Sequence, residues 1–312
     1  MSTSKSSKIY IAGHNGMVGS ACVRMLNSKG YYNLIFFGSK ELDLRDQKEV
    51  ESFISSEKPD IIIDAAAVVG GIWANNEYPY KFLMENMLIQ NNLIKSAVDN
   101  KVKKFIFLGS SCIYPKLAPQ PLKEEYLLSS TLEPTNQWYA IAKISGVKLI
   151  QAIRKEFGYD YVSLMPTNLY GPNDNYDLKT SHVLPALIRK FHEGKVNYLD
   201  SVSLWGSGTP LREFLHVDDL ASAVLFSIEK ELKESIYNIG SKEELTILEL
   251  AELIKKQIGF RGEILWDRSK PDGTPRKLLD SSKFHKLGWK PTINLNRGIS
   301  LTYNDFLKSL LN

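Results

Sequence analysis

Along the first half of the chain, short and nearly continuous apolar runs alternate with stretches whose apolar residues recur every three or four positions. The runs Ile9–Ala12, Leu34–Phe37, Ile61–Ala65, Phe105–Leu108 and Tyr161–Met165 predict strands. The stretches at roughly Met17–Lys29, Gln47–Ser56, Met84–Asn100 and Tyr139–Phe157 predict amphipathic helices. Strands that are apolar on both faces and alternate with helices predict an α/β fold, a doubly wound parallel sheet covered on both sides.

The pattern changes after Tyr170-Gly171-Pro172. A turn-rich stretch follows, then a helix near Val183–His192 and a turn at Trp205–Pro210. A helix over Val217–Glu231 and a strand at Ile236–Ile239 read as returns to the first layer. Leu245–Gly259 reads as an amphipathic helix, Pro271–Pro275 as a loop, and the chain is helical again from about Arg297. The expected organisation is a cofactor-binding domain over 1–170, to which 215–240 return, and a smaller interleaved substrate domain over 171–312.

Composition narrows the classes. The 312 residues carry 39 Lys+Arg against 35 Asp+Glu, and a net charge of +4 does not describe a nucleic-acid binder. No uncharged apolar stretch reaches the ~20 residues of a membrane span; Asp64 interrupts the longest candidate, Ile61–Val69. The N-terminus lacks a signal-peptide core, so a cytoplasmic protein is expected. Two cysteines, Cys22 and Cys112, make neither a disulfide framework nor a Cys-x-x-Cys metal pair, and no metal is expected. Cys22 falls at core-facing spacing in the first helix and is assigned no chemistry.

Strand Ile9–Ala12 runs into Gly13-His14-Asn15-Gly16-Met17-Val18-Gly19, which opens a helix. A dinucleotide pyrophosphate needs backbone N–H donors at a helix N-terminus and residues without Cβ, so this segment predicts a Rossmann-type cofactor site. After the second strand no acid follows directly, and Lys40 is cationic. This favours NADP over NAD, while Glu41 stands close by and Asp43-Leu44 suits the adenine end.

Tyr139 and Lys143 lie four residues apart, on one face of a predicted helix. A neighbouring ammonium is expected to lower the phenol toward working pH, making it an acid or base at a carbinol or ketone oxygen. Leu108-Gly109-Ser110-Ser111-Cys112 ends a strand, where ligands of doubly wound sheets bind. Either Ser110 or Ser111 can donate to the same oxygen.

With these motifs the chain resembles the extended short-chain dehydrogenase/reductases that modify nucleotide sugars, and among them the GDP-4-keto-6-deoxy-D-mannose epimerase-reductases. The resemblance spans nearly the whole chain. It runs through Ala12–Ser20, Gly70–Asn76, Gly109–Lys116, Glu133–Asn136, Tyr139–Lys143, Met165–Pro172, Ser181–Val183, Trp205–Pro210, Arg212–Asp219 and Lys270–Asp280.

It implies NADP(H) as cofactor, GDP-4-keto-6-deoxy-D-mannose as substrate, a homodimer, inversion at C3 and C5, and reduction at C4. It also implies Ser110, Tyr139 and Lys143 as the reductase triad and Cys112 and His182 as the epimerisation pair. Cofactor contacts would come from Gly13, Asn15, Gly16, Met17, Val18, Gly19, Ser39, Lys40, Asp43, Leu44, Leu108, Gly109, Tyr139, Lys143, Pro166, Asn168, Leu169 and His182. Substrate contacts would come from Asn168, Lys190, Trp205, Arg212 and Asp272. From their own turn-rich setting beside Asp272, Arg276 and Lys277 read either as a lid over the nucleotide or as an exposed charge cluster.

The chain departs from the family in one respect. Members often place arginines against a 2′-phosphate where this chain has Asn15 and Ser39.

A related enzyme forming GDP-L-colitose, which inverts only C5 of a 3-deoxy substrate, is the alternative. A 4,6-dehydratase is disfavoured because Ser110-Ser111-Cys112 stands where that group carries Thr-Asp-Glu. A non-catalytic dinucleotide sensor is disfavoured because both Tyr139 and Lys143 are present.

Overall fold

Ile9–Ala12 (β1), Ile61–Asp64 (β3) and Lys104–Leu108 (β4) are buried at every position. Such strands need a covering layer on each face. The computed structural model describes residues 4–270 and 272–311. Pro271, the first residue of the expected 271–275 loop, lies outside them.

The helices of this part are α1 (Met17–Ser28), α2 (Gln47–Glu57), the short α3 (Ile72–Glu77), α4 (Pro79–Asp99) and α5 (Gln137–Phe157). With β2 (Leu34–Ile35), β5 (Asp160–Pro166) and β9 (Ile236–Ile239), the strands form one six-stranded sheet in the order β2-β1-β3-β4-β5-β9. Every pairing in it is parallel. The predicted doubly wound α/β fold is therefore present.

Two elements differ from the expected ones. α4 starts at Pro79 rather than Met84, with proline in the first turn, where its missing N–H costs nothing. β2 stops at Ile35 because the next rings turn aside, Phe36 to stack on His14 and Phe37 against Phe53.

The later chain holds β6 (Asn168–Tyr170), α6 (Val183–Val196), β7 (Ser201–Trp205), β8 (Leu211–His216), α7 (Val217–Glu229), β10 (Glu244–Thr246), α8 (Ile247–Ile258), β11 (Glu263–Asp267), β12 (Arg276–Lys277), α9 (Ser282–Lys286) and α10 (Leu295–Ser309). β8 is central: it pairs with β6, β10 and β12. Two expectations are corrected here. Trp205 ends strand β7 rather than opening a turn. Lys277 sits in strand β12 rather than in a lid loop.

One buried core lies under α1 and α7, a second under α2, α4 and α5, and a third between α6, α8, α10 and β7. Cys22 is in the first, 1% exposed, and burial pushes its thiol up to about 12. α7 is tied back to the first sheet by the buried Lys104. Its ammonium donates to the carbonyls of Ser227 at 2.8 Å and Lys230 at 3.0 Å, at the negative end of the helix.

The layers are joined by Glu213 of β8, which is fully buried. Its carboxylate accepts the N–H of Lys242 at 2.7 Å, just beyond β9, and of Leu279 at 3.1 Å, just beyond β12. Its own carbonyl accepts from Asn168 Nδ2 at 2.7 Å and Thr167 Oγ1 at 3.2 Å, in the link from β5 to β6. Glu213→Ala strips two N–H groups of their acceptor, at about 1–3 kcal/mol each. Urea unfolding should show a loss of about 2–6 kcal/mol, with a smaller loss for Glu213→Gln, which keeps one acceptor oxygen. An alanine variant as stable as the parent would contradict this role.

Candidate active site

The site opens where β1, β3, β4 and β5 end. Beyond β1, Gly13 has φ of +76°, and a Cβ there would sit 2.7 Å from the Ala65 carbonyl oxygen. Gly19 packs so closely on the Gly13 carbonyl that no side chain fits. The turn thus brings bare backbone to the start of α1, where Gly16 is the N-cap and no side chain caps the first N–H groups. That is a cradle for a diphosphate, and the residues present fit one. Asn15 and Gly16 are exposed at its rim, with Met17 and Val18 in the first turn.

Further along the same edge, Ser39 and Lys40 are exposed. The Glu41 carboxylate turns inward and accepts the Gly38 N–H at 2.8 Å. Asp43 is gripped by Arg45, whose guanidinium and backbone N–H hold its carboxyl below the usual carboxylate range. Leu44 packs on the second core, and its carbonyl accepts from Asn92.

β4 delivers the reactive cluster. Leu108 ends the strand, Gly109 bonds across to the Leu164 carbonyl, and a single 3-10 turn at Ser111–Ile113 follows. Ser110 caps this turn: its Oγ accepts the Cys112 N–H at 3.2 Å. Ser110 is half-buried and Ser111 only 4% exposed, so Ser110 is the hydroxyl at the opening.

α5 packs on this turn and presents Tyr139 and the buried Lys143. Lys143 Nζ donates to the Leu108 carbonyl at 3.0 Å and lies 5.9 Å from the Tyr139 ring centre. Burial raises the Tyr139 phenol well above its ordinary value, and Cys112 and Asp64 push the same way. The expected lowering by Lys143 is therefore not found. The Leu108 carbonyl directs the ammonium, and desolvation outweighs it.

Asp64, at the end of β3, is fully buried, with one oxygen unpartnered. Burial pushes its carboxyl up to about 6, against the pull of Lys143. In the sequence it showed only as an interruption of an apolar run.

Cys112 has two donors that sequence reasoning missed. Asn136 Nδ2 lies 3.3 Å from Sγ, and Lys277 Nζ lies 3.4 Å away. Asn136 falls within a quoted motif, but Lys277 is 165 positions from the cysteine, so no spacing links them.

His182 is the N-cap of α6. The residue is exposed, yet the atoms packed around its ring, and then the Lys277 charge, lower its pKa. The preceding residues hold it in place. Gly71 N donates to the Thr180 carbonyl at 2.8 Å, and a Cβ on Gly71 would come 2.7 Å from the Ser181 oxygen. Asp177 receives the N–H groups of Lys179 and Thr180.

The remaining predicted contacts form a second cluster. Lys190 donates to the Ser203 carbonyl at 2.8 Å and sits 5.9 Å over the Trp205 ring, which is 56% exposed. Arg212 is mostly buried, bonded to the Leu211 carbonyl, and held up by Asp272 against desolvation. Asp272 is fixed by the N–H and hydroxyl of Ser207, at 2.7 and 2.8 Å. Pro166 and Leu169 flank the β5–β6 link, and Asn168 is held there by the Glu213 carbonyl. Gln120 bridges the backbone on either side of Lys277, donating to the Arg276 carbonyl and accepting the Leu278 N–H.

Residues 9–240 match the NAD dependent epimerase/dehydratase family. The chain is 58% identical to GDP-L-fucose synthase 1 of Arabidopsis thaliana over 99% of this chain and 95% of that one. It is 50% identical to GDP-L-fucose synthase of Escherichia coli (strain K12), over 97% of each. A GDP-L-fucose synthetase from Naegleria fowleri, solved bound to NADP, superposes with a TM-score of 0.90 at 28% identity, covering 100% of this chain and 97% of that one.

A histidine held neutral in the fold stabilises at neutral pH. That contribution is lost as pH falls below about 6.5, because the unfolded chain takes up the proton first. In an NMR titration of the native protein, the His182 ring should titrate below 6.5. A midpoint at or above that value contradicts the geometry described.

Proposed function

The chain belongs to the NAD dependent epimerase/dehydratase family, and from that premise we propose that it converts GDP-4-keto-6-deoxy-D-mannose to GDP-L-fucose by epimerisation at C3 and C5 and NADPH-dependent reduction at C4. The observation that carries the reading is the juxtaposition of Cys112, within reach of Asn136 and Lys277, with Tyr139 and Ser110 at one strand end. A plain reductase has no need of a thiol there. The identity to GDP-L-fucose synthases over almost the whole chain supports the same substrate.

The first part of the chain, 1–170 with 215–240, binds the cofactor, and most of 171–312 binds the sugar nucleotide. Gly13, Asn15, Gly16, Met17, Val18 and Gly19 hold the cofactor diphosphate. Ser39, Lys40, Asp43 and Leu44 lie toward its adenosine end, and Leu108, Gly109, Pro166, Asn168 and Leu169 toward the other. When bound, the cofactor supplies hydride to C4.

The ketone at C4 acidifies the C–H bonds at C3 and C5. Cys112, as thiolate, removes a proton from one face, and the electron pair moves onto the ketone oxygen. Tyr139 and Ser110 hold that oxygen as charge develops. His182 returns a proton to the opposite face, and the carbon is inverted. After both inversions Tyr139 gives its proton to the C4 oxygen during reduction, and the nearby Lys143 ammonium offsets the negative charge left on the phenolate. Lys190 and Arg212 meet the GDP diphosphate, Trp205 flanks the nucleotide or sugar, and Asn168 and Asp272 fix polar groups.

The protein acts as a homodimer, with exposed apolar residues such as Tyr80, Met84 and Ile141 on α4 and α5 offering a self-complementary face. It works in the cytoplasm, where a free thiol such as Cys112 stays reduced.

The purified protein should oxidise NADPH only in the presence of GDP-4-keto-6-deoxy-D-mannose, with GDP-L-fucose as the product by NMR. Tyr139→Phe should lower turnover about 10²–10⁴-fold. No NADPH consumption from folded protein would refute the reading. Turnover only of a 3-deoxy substrate would assign colitose chemistry instead.

A further inference from the structure

We propose that Lys277 is a positioning residue for the epimerisation half of the reaction, its ammonium holding Cys112 as the thiolate that takes the proton from the sugar. This rests on the functional reading above, but its structural basis is independent of substrate.

β12 aims the side chain. Arg276 and Lys277 point to opposite sides of a two-residue strand. Arg276 forks onto Glu244, its Nε 2.8 Å from the carboxylate. Lys277 points to the sulfur, with Nζ 3.4 Å from Sγ. The backbone around it is clamped on both sides. Gln120 holds Arg276 O and Leu278 N, Leu122 N bonds Leu278 O at 2.7 Å, and Glu213 accepts Leu279 N. The clamped backbone fixes where the Lys277 side chain starts, on the side of the strand that faces the sulfur.

The charge has no competing partner. Among the described residues Lys277 makes no ion pair with a carboxylate, whereas Arg276 does, and so does Lys116, with Glu133 in the same recess. Asn136 adds a neutral donor on the sulfur. The other titratable groups of that recess are Tyr114, Lys116, Glu133 and Arg276, with Tyr139 coupled to the thiol from α5 and His182 to Lys277 from the start of α6. Asp64 acts from β3 through Tyr139. Lys116 is neutralised by Glu133 and Arg276 by Glu244, so Lys277, the cation on the sulfur itself, is the one that opposes desolvation of a thiolate.

Its effect reaches His182 as well, where the same charge favours the neutral ring. An imidazolium formed there is a stronger acid for it. One ammonium thus favours the sulfur as a base and makes the imidazolium, formed when His182 takes a proton from solvent, the stronger acid. When Cys112 accepts the C–H proton, the sulfur becomes a neutral thiol and Lys277 keeps its charge. The proton delivered to the opposite face comes from His182.

The test reads the thiol itself. Alkylation by iodoacetamide consumes thiolate, so its rate against pH follows the Cys112 titration. Cys22 is buried and silent, and Cys112→Ser gives the blank. Lys277→Met, which keeps length and loses charge, should raise the pH midpoint of alkylation by about one unit or more. Lys277→Arg should return most of that shift. A Lys277→Met midpoint equal to that of the parent overturns the proposal, and so does failure of arginine to restore it in protein with unchanged urea unfolding. Because no substrate is used, either result stands apart from the activity assay that tests the proposed function.

Discussion

A carboxylate buried in the middle of β8 holds the two halves of the site in register. Glu213 could not lie in the interior as a bare charge, and the chain answers with backbone N–H groups from two separate segments. One segment follows the last strand of the parallel sheet, and the other follows β12. Through its carbonyl, the same residue fixes Asn168 and Thr167 where the chain leaves β5. The hydrogen bonds do not fully offset desolvation, for burial still raises the Glu213 pKa. The cost is borne because a single side chain joins the cofactor-side sheet to the paired strands β8 and β12, which carry Arg212 and Lys277.

That junction orders the charges of the cleft. Lys277 stands opposite Arg212 in the register of β12 with β8. Two cations on neighbouring strands would repel each other in an empty site, and each has its own release. Arg212 has Asp272 nearby, and Lys277 has the sulfur. The proposed function sets the diphosphate of the sugar nucleotide beside Arg212 and Lys190 and its ketone toward Tyr139, Ser110 and Cys112. The small net charge of +4 conceals this local arrangement.

The first half of the fold was legible because its strands are apolar throughout and its helices keep a clear period. β1, β3, β4 and β5 lie where the apolar runs place them, and the glycine turn makes the backbone cradle that its spacing implies. The later strands were harder to read. β12 is two residues long, and β10 three. β7 does alternate buried and exposed side chains, but its last residue, Trp205, runs on into a glycine-rich turn that masks the strand end. Motif and geometry coincide at Tyr139, Lys143 and Ser110, which the fold gathers at the end of β4. Long-range contacts left no trace in the sequence. Lys277 read as one of two cations in a loop, Glu213 as a letter inside a motif, and Asp64 as a break in an apolar run. The expected lowering of the Tyr139 phenol also failed, since spacing along a helix cannot show that the Leu108 carbonyl claims the ammonium.

The central claim is that one cleft carries two separable chemistries, proton transfer by Cys112 and His182 and hydride acceptance beside Tyr139. The most direct measurement is incubation of the protein with GDP-4-keto-6-deoxy-D-mannose in D₂O without reduced cofactor, with deuterium at each carbon followed by NMR. The account predicts incorporation at C3 and C5, no reduction at C4, and loss of the exchange in Cys112→Ser. Exchange that persists undiminished without the cysteine thiol, or none at all in the parent protein, would contradict it.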